Sequence, residues 1–97
     1  MKLAHYARQF WLGATSRSSG EYWERRYGLR MTSGPGSYGA LAAFKAEILN
    51  GFVRQHRIES VLELGCGDGN QLALAEYPRY LGLDVSKTAI DLCVQRF

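Results

Sequence analysis

The sequence predicts an α/β fold built around two parallel strands, and three observations lead to this prediction. One apolar run ends at Leu64, and a second closes on Asp84. A glycine-rich turn directly follows the first run. The stretch from Gly65 to Pro78 has room for a turn and a short crossover helix, the minimum that brings two strands together in parallel. The expected unit is therefore a right-handed strand–helix–strand crossover.

An amphipathic helix is expected before the first strand. From Ala40 to about Gln55, apolar side chains recur at spacings of three and four residues. These side chains are Leu41, Phe44, Ile48, Leu49, Phe52 and Val53. A helix with this face would cover one side of the sheet, as a doubly wound α/β fold requires.

Shorter helices are expected on either side of this core. Residues 1–20 predict a weakly amphipathic leader helix followed by a flexible serine-rich linker, and residues 21–27 predict a short helix with carboxylates in its first turn. After the second strand, Ser86 is suited to cap a last helix. The apolar faces would hold Leu3, Tyr6, Ala7, Phe10 and Trp11 in the leader and Ile90, Cys93, Val94 and Phe97 in the last helix.

The segment 32–39 contains three glycines and a proline, which predicts a loop. Such a loop can close over a bound ligand, with hydroxyls offered by Ser37 or Tyr38, or it can be a plain connecting turn. The aromatic side chains of the preceding helix also have two possible roles. Its Tyr22 and Trp23, together with Tyr27, either help to cover a ligand or pack the helix onto the sheet.

The glycine-rich turn indicates a binding site for a nucleoside-containing cofactor. Gly65, Gly67 and Gly69 allow positive φ angles and let a ligand approach the main chain. Asp84 lies about twenty residues after the first glycine, where a carboxylate can accept hydrogen bonds from both hydroxyls of an adenosine ribose. The dinucleotide fingerprint G-x-G-x-x-G does not fit, because the third glycine comes one residue early and position 70 is Asn.

The stretch Glu63–Gly69 instead resembles the (Asp/Glu)-x-Gly-x-Gly-x-Gly motif of class I S-adenosylmethionine-dependent methyltransferases. The segment GLDVS at 82–86 is similar to the second motif of that family. The resemblance covers roughly residues 20–97 and implies a Rossmann-like doubly wound fold. It also implies S-adenosyl-L-methionine as the cofactor and methyl transfer as the reaction.

The resemblance implies a role for individual residues. Glu63 would lie near the amino group of the methionine moiety, Gly65 and Gly67 would lie under the cofactor, and Asp84 would bind the ribose. The full expected cofactor-binding set is Glu63, Gly65, Cys66, Gly67, Gly69, Asp84 and Val85, with Tyr22, Trp23, Ser37 and Tyr38 as a possible lid. In this family the groups that face the methyl acceptor come mostly from the fourth and later strands. The catalytic residues and the acceptor therefore stay unassigned.

Only two strands are readable in 97 residues, and a two-stranded parallel sheet leaves both of its edges uncovered. We expect a basic leader and linker at 1–20 and the incomplete N-terminal part of a methyltransferase domain at 21–97. The missing strands would come from the rest of a longer chain or from a partner. Two alternatives stay open: a fragment of an NAD(P)-binding oxidoreductase, and a non-catalytic nucleoside-binding module completed by a partner.

Composition limits the partners, the kinds of site and the compartment that can be expected. Of the formal net charge of +3, the first 30 residues contribute +4, and the chain has no aromatic-basic stripe typical of RNA-binding modules, so nucleic acid is not favoured as a partner. Cys66 and Cys93 form no CxxC pair, so neither a metal site nor a disulfide is predicted. Free thiols favour the cytoplasm. No stretch reaches the roughly 18 apolar residues that a membrane span needs.

Overall fold

The computed structural model describes the backbone of residues 2–97 and the side chains of residues 7–97, so the predicted contacts of Leu3 and Tyr6 lie outside the described residues. The main elements are α1 (Lys2–Thr15), α2 (Ser19–Gly28), α3 (Gly39–Gln55), β1 (Val61–Leu64), β2 (Tyr80–Leu83) and α4 (Lys87–Arg96), with short 3₁₀ turns at Pro35–Ser37 and Leu72–Leu74. No helix among these residues combines the length and the apolar character needed to cross a bilayer.

The two strands pair in parallel, which confirms the predicted α/β class and the pairing of the two apolar runs. Val61 is in register with Tyr80, and Leu64 with Leu83. Both strands therefore end at the same edge of the sheet. The backbone N–H groups of Gly65 and Cys66 donate to the Leu83 carbonyl at 2.7 and 3.0 Å. These bonds fix the start of the glycine-rich turn, called the glycine loop (residues 65–70) from here on, against the end of β2.

The connection between the strands contains no α-helix, so the predicted crossover helix was wrong. Only the 3₁₀ turn at Leu72–Leu74 is present, and it ends where Ala75 turns extended, with ψ 144°. Asn50 of α3 holds this region, because its amide nitrogen donates to the Leu74 carbonyl and its amide oxygen accepts from the Glu76 N–H, both at 2.9 Å. Backbone groups that would continue a helix are thereby bound to α3.

Helix α3 is present as predicted, but Val53 is the only side chain of its predicted apolar face that is buried. Its buried residues are Ala42, Ala46, Asn50 and Val53. Its large apolar side chains, Leu41, Phe44, Ile48, Leu49 and Phe52, are 42–60% exposed. The helix packs against the 3₁₀ turns at Pro35–Ser37 and Leu72–Leu74. Because this packing brings α3 close to the backbone of the two turns, it favours small side chains at the contact. The prediction that the large apolar side chains of α3 cover the sheet was therefore wrong.

The helices at the two ends also bury residues other than those predicted. In α1, Leu12 is fully buried, whereas Phe10 is 80% exposed and Trp11 is 54% exposed. In α4, Ala89 is buried, Ile90 and Cys93 are half-buried, and Val94 and Phe97 are exposed. A small residue at position 89 allows α4 to pack against α2.

Serine caps fix where two helices begin. The Ser86 hydroxyl accepts from the Ala89 N–H at 3.1 Å, which confirms its predicted role at the start of α4. The Ser18 hydroxyl accepts from the Glu21 N–H at 3.1 Å, so α2 begins at Ser19. The residues between α1 and α2 are therefore only 16–18, and the predicted linker that extended to Gly20 was too long.

Glu24 joins α2 to the first turn of α4. Its carboxylate accepts hydrogen bonds from the Ser86 hydroxyl at 2.6 Å, from the Thr88 hydroxyl and from the Thr88 N–H at 3.3 Å. The positive end of the α4 dipole favours a carboxylate at this place. The pKa of Glu24 is lowered, first by the Ser86 hydroxyl and then by the Thr88 hydroxyl. The charged form of Glu24 therefore stabilises the folded chain.

We predict that Glu24→Gln lowers the stability of the chain at pH 7 and that this loss shrinks as the pH falls. The pKa of Glu24 is lower in the folded state, so its contribution is present above the unfolded-state value near 4.5 and is lost as the pH drops through the folded value. Urea unfolding of both proteins between pH 7 and pH 3 measures the difference. Glu47→Gln, on the exposed side of α3, is the control. A difference that does not change with pH would contradict the prediction.

Candidate functional site

A cavity of about 490 Å³ lies at the carboxyl ends of the two strands. Three parts of the chain line it: the strand ends with the glycine loop and the adjoining Gln71, helix α2, and the segment 32–39. The lining residues are Trp23, Tyr27, Ser33, Ser37, Leu64, Gly65, Cys66, Gly67, Asp68, Gln71, Leu83, Asp84 and Val85. The edge where parallel strands end is a common place for ligand binding in α/β proteins.

The three glycines of the loop all have positive φ angles, but each has a different neighbour. Gly65 has φ +80° and open space where a Cβ would be, whereas at Gly67, with φ +62°, a Cβ would lie 2.9 Å from the Tyr27 hydroxyl oxygen. At Gly69 a Cβ would lie 2.9 Å from the Cys93 sulfur. Gly69 is not among the cavity-lining residues. Its role in the structure is to let α4 pack closely against the loop.

Asp84 connects the end of β2 to the glycine loop. One carboxylate oxygen accepts from the Gly67 N–H at 2.8 Å, and the other accepts from the Ser86 N–H at 2.9 Å. A carboxylate offers about four acceptor positions, so these two bonds leave about two for a ligand. Asp84 lines the cavity. Its position therefore fits the predicted recognition of a pair of hydroxyls.

Asp68 is a cavity-lining carboxylate that the sequence interpretation did not single out. It accepts from the Ser33 hydroxyl at 3.3 Å, from the Tyr38 hydroxyl and from the Asn70 N–H at 3.1 Å. The Asn70 amide also donates to the Ser37 carbonyl at 2.6 Å. These bonds hold the segment 32–39 against the glycine loop. An acidic residue between two glycines was the available signal, but its partners Ser33 and Tyr38 are 35 and 30 residues away in sequence and could not be predicted from it.

Glu63 is not among the residues that line the cavity, although the resemblance implies a place beside the cofactor. Its carboxylate accepts a hydrogen bond from the Tyr80 hydroxyl at 2.7 Å. Successive side chains of a strand point to opposite faces, and Leu64 is the β1 side chain that lines the cavity. Burial, and then the hydrogen bond to Glu63, raises the pKa of Tyr80.

The four possible lid residues divide into two pairs. Trp23 and Ser37 line the cavity, and Tyr22 and Tyr38 do not. The Tyr22 hydroxyl accepts from the Arg26 guanidinium at 3.0 Å, and its ring meets the Trp23 ring edge-on at 5.2 Å. Burial raises the pKa of Tyr38 to about 12. Tyr38 therefore stays protonated at neutral pH, and its hydroxyl donates a hydrogen bond to Asp68 that keeps the segment 32–39 attached.

Tyr27 lies beneath the glycine loop, and its pKa responds to the charges around it. It is buried, and burial followed by the nearby carboxylates of Asp68 and Asp84 raises its pKa to about 12. Both carboxylates therefore act on the same region. No Lys, Arg or His occurs among the lining residues, so the charged side chains of the described lining are the carboxylates of Asp68 and Asp84. The nearby Arg26 guanidinium partly offsets their effect on the pKa of Tyr27.

The cysteines provide neither a nucleophile nor a metal site within the described residues. Burial, and then the charge of Asp84, raises the pKa of Cys66, and burial raises the pKa of Cys93 to about 11. Both thiols are protonated at neutral pH, and a thiol is a far weaker nucleophile than a thiolate. Residues 7–97 contain no group of three His, Cys, Asp or Glu side chains that could hold a metal ion.

Gln71 lines the cavity and has an unsatisfied acceptor. Its amide nitrogen donates to the Ala42 carbonyl at 3.0 Å. Its amide oxygen is buried and has no hydrogen-bond partner among the described residues. A buried acceptor without a donor costs about 1–3 kcal/mol, which a donor from a ligand can offset. Gln71 was not part of the predicted site.

Comparison of the chain with models of protein families, with curated proteins and with solved structures gives no match.

We predict that Gly67→Ala destabilises the chain more than Gly65→Ala does. Both changes place a side chain at positive φ, which costs about 1–2 kcal/mol. Only the change at position 67 also meets the Tyr27 hydroxyl. This overlap adds about 1 kcal/mol or more. Urea unfolding measures both costs.

A second background tests the cause of this difference. In Tyr27→Phe protein the hydroxyl is absent, so the extra cost of Gly67→Ala over Gly65→Ala should fall close to zero. Equal costs at the two positions in the parent background would show that Tyr27 does not restrict the loop.

Proposed function

We propose that this cavity binds S-adenosylmethionine and that the chain is the cofactor-binding, N-terminal part of a methyltransferase with a Rossmann-like doubly wound fold. The observation that carries the proposal is the pairing of a glycine loop with Asp84 at the ends of two parallel strands. The carboxylate keeps acceptor positions that suit the two hydroxyls of a ribose.

The size and lining of the cavity support the proposal that its ligand contains a nucleoside. A volume of about 490 Å³ lies in the range of about 300–1,000 Å³ typical of small-molecule sites. Leu83, Val85 and Trp23 supply apolar and aromatic surface beside Asp84. A purine ring buries well against such surface, while the carboxylate binds the sugar.

Charge favours S-adenosylmethionine over a nicotinamide dinucleotide. The lining contains the carboxylates of Asp68 and Asp84 and, within the described residues, no cationic side chain. A pyrophosphate would be repelled by these carboxylates, whereas a ligand with a sulfonium and an ammonium group would be attracted. The spacing of the glycines favours the same choice.

The bound cofactor would supply a methyl group that is already activated by the positive sulfur. The described residues would bind and orient it: Asp84 through the ribose, and the glycine loop through its exposed backbone. The segment 32–39, held by Asp68, would exclude water from one side of the cavity. We assign no general base to these residues, because the cavity-lining Tyr27 and Cys66 both have raised pKa values.

The methyl acceptor is unidentified, and we propose that the groups that bind it come from further strands of a longer chain or of a partner. The two-stranded sheet supports this proposal, because within the described residues each strand has an unpaired edge to which a further strand can add. One face of the sheet is also exposed. Leu62, Leu64, Leu81 and Leu83 on that face are 48–75% exposed, although leucine is usually buried. The two free cysteines favour the reducing cytoplasm as the compartment.

We predict that Asp84→Asn weakens binding of S-adenosylhomocysteine, the stable product of the cofactor, by about 1–3 kcal/mol because charge-assisted hydrogen bonds are lost. Isothermal titration calorimetry measures the affinity of the parent and the variant. Asp91→Asn is the matched control, since it removes an exposed carboxylate of α4 that does not line the cavity.

Thermal unfolding of each variant shows whether it remains folded. Equal affinities for the parent and a folded Asp84→Asn protein would mean that Asp84 does not bind the ribose. The proposed site would then be wrong.

A further inference from the structure

We infer that Asp68, assisted by Gln71, binds the positively charged amino group of the ligand, and that Glu63 does not. This inference rests on the proposed function and assigns the recognition of one end of S-adenosylmethionine. It rests on three observations: the position of Glu63, the position and partners of Asp68, and the unsatisfied oxygen of Gln71.

The position of Glu63 removes it from the cavity wall. Its carboxylate is bound to the Tyr80 hydroxyl, and Leu64, the next residue of β1, is the side chain that lines the cavity. To bring Glu63 to the cavity, β1 would have to exchange its two faces. Such a change would also lose the register between Val61 and Tyr80 and between Leu64 and Leu83.

Asp68 places a carboxylate at the cavity wall, where Glu63 does not. It lines the cavity, and its three hydrogen-bond donors, from Ser33, Tyr38 and Asn70, are all uncharged. They orient the carboxylate without neutralising it. Three bonds leave about one of its four acceptor positions, which is enough for one N–H of an ammonium group.

Gln71 directly follows the glycine loop, also lines the cavity and has a second acceptor. Its amide nitrogen is fixed to the Ala42 carbonyl of α3, so the orientation of the amide is set and its oxygen is the group left without a donor. An ammonium group has three N–H donors and no acceptor. It can therefore bind a carboxylate and an amide oxygen together.

The two carboxylates then have separate tasks. Asp84, on β2, has about two acceptor positions left and suits the two hydroxyls of the ribose. Asp68, on the glycine loop, has about one left and suits the ammonium. Since the segment 32–39 is held by Asp68, the same residue would couple that segment to the amino end of the ligand.

The test compares two ligands that differ at this end. S-adenosylhomocysteine carries the amino acid group, and 5′-methylthioadenosine keeps the nucleoside and the sulfur but lacks it. We expect Asp68→Asn to lower the affinity for S-adenosylhomocysteine by about tenfold or more. The affinity for 5′-methylthioadenosine should change by less than about twofold. Glu63→Gln should change neither affinity by more than about twofold. Calorimetry on the folded variants measures all of these values.

A further variant separates the charge of Asp68 from its structural role. Tyr38→Phe removes one donor to Asp68 but keeps the carboxylate, so any loss should be the same for both ligands. An equal loss of affinity for both ligands in Asp68→Asn would overturn the inference, because the residue would then act only by holding the segment 32–39. A tenfold loss confined to S-adenosylhomocysteine in Glu63→Gln would also overturn it.

The parent protein distinguishes this inference from the proposal on which it rests. A parent that binds neither ligand would contradict the proposed function and this assignment together. A parent that binds S-adenosylhomocysteine, with unchanged affinity in Asp68→Asn, would contradict the assignment of Asp68 alone.

Discussion

The hydrogen bond from the Gly67 N–H to the Asp84 carboxylate is the interaction on which the site depends. It joins the loop after β1 to the end of β2, across the edge where the two parallel strands finish. The neighbouring bonds from Gly65 and Cys66 to the Leu83 carbonyl hold the same two ends together. Because Asp84 also accepts from Ser86, one carboxylate links the sheet, the glycine loop and the start of α4.

Polar contacts between distant segments organise the rest of the fold. Few apolar residues among those described are buried, and several of them are small. They are Leu12, Tyr27, Met31, Ala42, Ala46, Val53, Cys66 and Ala89. Glu24 joins α2 to α4, Asn50 joins α3 to the connection between the strands, and Asp68 joins the segment 32–39 to the glycine loop. Since two of these three side chains are carboxylates, the geometry around the cavity depends on charge.

Local signals allowed much of the fold to be predicted from the sequence. Apolar runs predicted the strands, three- and four-residue spacing predicted α3, and a serine predicted the start of α4. The orientation of α3 and the missing crossover helix could not be predicted, because both depend on contacts of Asn50 with Leu74 and Glu76 in a distant segment. For the site, the glycine loop and Asp84 were recognisable, but the strand face of Glu63 and the partners of Asp68 appear only in three dimensions.

The measurement that tests the central claim most directly is a calorimetric titration of the 97-residue chain with S-adenosylhomocysteine and, separately, with NAD. Circular dichroism on the same samples establishes that the chain is folded. The carboxylates that line the cavity and the glycine spacing predict saturable binding of S-adenosylhomocysteine and none of NAD. Saturable binding of NAD alone by the folded chain would contradict the account.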